Sequence, residues 1–229
     1  MTTESSIRLA PDYFRAIRFG ANWTMITSPY LILSVIAIFA IGGTPIVFGE
    51  IGPALEIAGK APIVFGATVM LDAIFHAVFA LTAVTLFAVL RERWPVRASL
   101  VLASGTWQMV VGLTKGLSSL LMFVPLGSAY IAGDSALRAV LLPVASSEFG
   151  LRLALQTMDG FGVMAIWLIV CLLPSDSAIP RGVRWLGWIM TLALLAATPS
   201  GPTFLLVAAL FPVWLFLMGR WLTRLMKGK

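Results

Sequence analysis

Asp72, His76, Lys115 and Asp159 are ionisable side chains set inside long apolar runs. A charge in hydrocarbon is costly and is kept where it has a partner or a task. Asp72 and His76 are spaced i, i+4, so on a helix they share one face. A carboxylate there accepts a hydrogen bond from the imidazole and fixes its tautomer. Lys115 stands in Gly112-Leu113-Thr114-Lys115-Gly116, with Gln108 two turns before it, and Asp159 precedes Gly160. At about 1.5 Å per helical residue, Asp72, Lys115 and Asp159 are expected roughly 12 to 17 Å below one membrane face, with His76 and Gln108 one to two turns deeper. A lysine between two aspartates lowers the cost of burying each charge.

Two chemistries suit such a group. One is a structural ion-pair cluster that fixes helix register. The other is a polar cavity, open to the outer face, that binds a small ligand or relays protons. His76 could also serve as an axial ligand to the metal of a haem or similar pigment, but a bis-histidine site within the chain is excluded because His76 is its one histidine. The sequence has no HExxH, P-loop or GxGxxG pattern, and no Cys/His metal motif. Cys171, the one cysteine, reads as a small buried apolar residue. A catalytic constellation is therefore not expected, nor a resident metal. Bound lipid is.

The elements that must position these groups are membrane spans. Of the 229 residues, 59% are hydrophobic and 11% charged, with a mean hydropathy of +0.97. A soluble domain carries about a quarter charged residues, so a water-soluble core is excluded. The net charge of +6 comes from short basic patches beside apolar runs, which suit lipid headgroups and not nucleic acid. A spanning helix needs about 20 apolar residues. Six candidates are expected, over 24–48, 61–90, 98–124, 151–173, 183–198 and 202–222. The pattern predicts a single all-α domain over 1–229, an integral membrane bundle of six transmembrane helices.

Residues 1–23 are expected to form a cytoplasmic or interfacial segment, with a short interfacial helix over 11–19. Residues 127–150 are expected to be the longest external loop, holding a short helix that ends at Pro143. Pro199-Ser200-Gly201-Pro202 reads as the turn of a tight helical hairpin. Trp23, Trp94, Trp185 and Trp221 read as interfacial anchors, and Trp107 and Trp167 as deeper.

Orientation follows from the basic residues. With both termini inside, the inner segments hold Arg8, Arg15, Arg18, Arg91, Arg93, Arg97, Arg181, Arg184, Arg220, Arg224, Lys227 and Lys229, against Lys60, Arg138 and Arg152 outside. Twelve against three is the bias of a chain with both termini cytoplasmic.

The stretch Ile179-Pro180-Arg181-Gly182-Val183-Arg184-Trp185-Leu186-Gly187-Trp188, with Arg91-Glu92-Arg93 after the second run, resembles a bacterial multi-pass family catalogued as domain of unknown function 4386. The resemblance implies an inner (plasma) membrane location and carries no catalytic residue with it. The expectation is a non-enzymatic accessory or structural subunit of a bacterial inner-membrane assembly, partnered by the bilayer and by other subunits or a second copy. The alternative is a small-molecule binding or transport protein that uses Asp72, His76, Gln108, Lys115 and Asp159.

Overall fold

Inside a bilayer, backbone polar groups find partners only within the chain, and apolar runs free of helix-breaking clusters satisfy them as helices. A computed structural model describes residues 11–174, 179–196 and 202–227, and these are mostly helical with no strand among them. In chain order the helices are α1 (Pro11–Ala40), α2 (Thr44–Phe48), α3 (Ile51–Lys60), α4 (Pro62–Leu90), α5 (Pro95–Ala132), α6 (Ser135–Cys171), α7 (Arg181–Ala196) and α8 (Pro202–Lys227). Five of them, α1, α4, α5, α6 and α8, are long and apolar enough to cross a membrane. The chain is thus a multi-pass helical membrane protein by length and composition.

Several boundaries differ from those expected. The interfacial helix expected over 11–19 is not separate from the first span, because α1 runs unbroken from Pro11 through Pro29 to Ala40. Ile17 and Ala21 are fully buried and a Cβ on Gly20 would fall on Thr85, so the start of α1 is packed against protein. The first span also stops short of Phe48. Gly42 takes a left-handed φ of 78°, which favours glycine, and the chain turns there into the short α2.

The loop expected over 127–150 is helix. α5 passes Pro125 to Ala132, and α6 begins at Ser135 and passes Pro143, leaving a connection of Gly133 and Asp134. Asp134 Oδ1 accepts from the Leu137 backbone N–H at 2.9 Å and starts α6. The 199–202 turn lies, up to Gly201, outside the described residues, but α7 and α8 pack on each other.

The chain divides into two compact units. The first takes residues 1–29, 78–108 and 161–229. Trp167 and Trp214 are fully buried there with Phe79 and Phe211 in edge-on aromatic contacts of 5.1 to 6.4 Å. Trp214 Nε1 donates to Val183 O at 3.2 Å, tying α8 to α7. Arg184 donates to Leu173 O and Pro174 O, both at 2.7 Å, and satisfies carbonyls past the end of α6. Trp221 is buried in this unit and is no interfacial anchor, whereas Trp107 is about half exposed and does not line a core.

The second unit takes residues 30–77 and 109–160. Its apolar core joins Ile46 of α2, Ala54, Leu55 and Ala58 of α3, Phe65 and Val69 of α4, Phe123 of α5 and Ala145 of α6. α3 reaches α5 at a glycine pair, since a Cβ on Gly127 would press on the backbone at Gly59 and Leu55. Phe65 and Phe123 stack at 5.7 Å. One to two turns along α4 from this core lie Asp72 and His76.

Candidate functional site

The second unit brings Asp72, His76, Lys115 and Asp159 together. Two glycines make this possible. Gly112 and Gly116 form one stripe on α5, and small residues at that spacing let helices approach closely. A Cβ on Gly112 would fall on the His76 ring, and one on Gly116 would come within 3.1 Å of the Ala73 Cβ. α5 therefore lies against the face of α4 that carries Asp72 and His76, and Lys115 arrives between the glycines.

Lys115 Nζ donates to Asp72 Oδ2 at 2.9 Å and stands 3.4 Å from His76 Nε2. His76 Nε2 is 3.5 Å from Asp72 Oδ1. On the other side of the ring, His76 Nδ1 is 3.2 Å from Asp159 Oδ1. That approach has the length of an ion pair without hydrogen-bond alignment, since Asp159 Oδ1 accepts no hydrogen bond among the described residues. Phe75 meets the imidazole edge-on at 5.4 Å. The order is Asp72, Lys115, His76, Asp159. The imidazole, not the lysine, stands between the two carboxylates.

A lysine ammonium donates and never accepts. Its nearest imidazole nitrogen, Nε2, is therefore best occupied by a lone pair, which leaves the proton of a neutral ring on Nδ1, facing Asp159. The site is mostly sealed. Lys115, His76 and Asp159 are buried, whereas the Asp72 side chain is 34% exposed and is the open end of the group.

Two further residues belong here that the sequence reading left out. Arg152 was counted in an external loop, yet it lies within α6 at 9% exposure. Its Nη1 donates to Ile46 O at 3.0 Å, and its guanidinium interacts through space with Asp72. The signal for it was a lone basic residue seven positions before Asp159, on the same helix. Tyr30 of α1 donates its hydroxyl to Leu71 O at 3.0 Å and also feels the Asp72 charge. One tyrosine in an apolar run gave no signal of this. Gln108 is placed differently from the other expected members. It falls in the first unit, fully buried, with its Cβ bordering Gly162.

With His76 neutral, the formal charges of Asp72, Asp159, Lys115 and Arg152 cancel. Neutrality of this kind is what makes a buried ionic group tolerable in a low dielectric. The described residues contain no group of three or more His, Cys, Asp or Glu side chains placed to hold a metal. Comparison with protein-family models, with curated proteins and with solved structures finds no match.

Proposed function

We propose that the chain is a small-molecule binding or transport protein whose buried Asp72–Lys115–His76–Asp159 relay couples the bound solute to a proton. The observation that supports this is the place of the imidazole. His76 is the one group in the relay whose unperturbed titration falls near neutral pH, and it stands against a carboxylate on one side and an ammonium on the other. Taking up one proton changes the formal charge of the site from zero to plus one. In a low dielectric that change is energetically large, and it favours a rearranged or ligand-compensated state.

Six membrane passes go with this reading, α7 being the sixth. Its 16 described residues rise about 24 Å, and it pairs with α8 as a hairpin partner. Both termini then lie on the cytoplasmic face of a bacterial inner membrane, as the basic residues favour.

The competing role is that of an accessory subunit in a larger membrane assembly, in which the neutral cluster only fixes helix register. Proteoliposomes carrying the full chain and an internal pH dye separate the two. Under the proposed function, one class of small solute changes proton flux across an imposed pH gradient, and His76→Gln abolishes the effect in a protein that still folds. A purely structural cluster gives no solute-dependent flux, and His76→Gln then registers only as lowered thermal stability.

A further inference from the structure

Arg152 is an oddity in the relay's surroundings. The residue is buried, at 9% exposure, in a segment that should shun charge. Among the described residues its one hydrogen bond is from Nη1 to Ile46 O. Its other guanidinium nitrogens keep some accessible surface and have no partner there. A guanidinium carries five N–H donors in a planar fork that matches a carboxylate. Holding one carbonyl of α2 uses a single donor, and a neutral side chain such as glutamine supplies as much. The charge balances the second carboxylate of the group, and the spare donors need another explanation.

Charge balance supplies it. The relay with Arg152 is formally neutral while His76 is neutral. A monoanion seated on the guanidinium would leave it at minus one, which is costly in a low dielectric. A proton on His76 restores neutrality. The charged and titratable groups facing the imidazole are Asp72 on its own helix, Lys115 from α5 and Asp159 from α6, while Arg152 and Tyr30 interact through space with Asp72.

We propose that the ligand of this site is a small monocarboxylate held by the Arg152 guanidinium, and that one proton enters on His76 with each anion bound. This rests on the proposed solute-binding function and names its substrate class. A dianion is disfavoured, because one proton compensates one charge. Linkage makes the coupling reciprocal. Anion affinity falls about tenfold per pH unit above the titration range of the imidazole and levels off below it.

The test is calorimetry on the purified full chain in phosphatidylcholine nanodiscs, with sodium benzoate as probe at pH 5.5 and pH 8, in two buffers of different ionisation enthalpy. The expected result is saturable benzoate binding at pH 5.5, with about one proton taken up per anion, and much weaker binding at pH 8. Arg152→Gln weakens it by about tenfold or more, Arg152→Lys by less, and His76→Gln removes the proton uptake. The pH comparison in the unaltered protein holds even where a variant fails to fold. Binding independent of pH, or equal in a folded Arg152→Gln, overturns the proposal. So does the absence of benzoate binding. If, in addition, phosphatidylglycerol is retained in native mass spectrometry and lost in Arg152→Gln, the guanidinium holds a lipid phosphodiester instead. Should benzoate fail while another solute class still drives His76-dependent proton flux, the relay stands and only the carboxylate assignment falls.

Discussion

At the scale of the residue, the Lys115–Asp72 pair carries the most consequence. Breaking a buried pair by removing one partner leaves an uncompensated charge and commonly costs about 3 to 5 kcal/mol. Lys115→Met should therefore lower thermal stability in detergent by far more than Arg224→Ala, which removes an exposed charge on α8. The double variant Lys115→Met/Asp72→Asn should cost less than the sum of its single changes, because the two side chains share one interaction. Gly112 gives a steric counterpart. A methyl group there falls on the His76 ring, and overpacking of this kind costs about 1 to 3 kcal/mol. Gly112→Ala should destabilise the protein, whereas Gly150→Ala, with open space around it, should be neutral or gain up to about 1 kcal/mol from helix propensity. Paired melting curves decide both cases.

At the scale of the element, the long helices were largely legible and their ends were not. Apolar length marked α4 and α8 closely, since lipid demands continuous helix wherever it is met. The end of α5 and the start of α6 were misplaced because the third apolar run was taken to end at Val124 and Pro143 was read as a stop, and proline inside a membrane helix is tolerated where neighbours re-satisfy the freed backbone groups. That error hid Arg152, since a residue placed in a loop needs no partner. The i, i+4 spacing of Asp72 and His76 was legible from sequence, as was the isolation of Lys115 and Asp159. Which of them meets which was not, because that depends on helix rotation, and rotation is set by Gly112 and Gly116. The same close-packing device seats α3. At Gly127 the obstacle to a Cβ is backbone at Gly59 and Leu55, which cannot swing aside. Gly127→Ala should release α3, seen as faster amide hydrogen exchange over residues 51–60 with exchange in α8 unchanged. Unchanged protection in α3 would show that the glycine contact is not what holds it.

At the scale of the whole molecule, orientation and the single histidine give the two broadest tests. A reporter fused after Lys229 should show cytoplasmic-type activity, on the proposed six passes and the basic bias; periplasmic activity there would mean an odd number of passes or the reverse orientation. The relay is open to a direct reading because His76 is the one histidine in 229 residues. Nitrogen-15 labelling of histidine, in protein carrying a non-histidine affinity tag, yields one imidazole spectrum with no assignment problem. In nanodiscs above the titration range, the neutral ring should carry its proton on Nδ1, facing Asp159, with Nε2 bare toward Lys115. Lowering the pH should add one proton in a single step, and both Asp159→Asn and Lys115→Met should move that step. A neutral ring protonated on Nε2, or a titration that neither substitution moves, would contradict the relay.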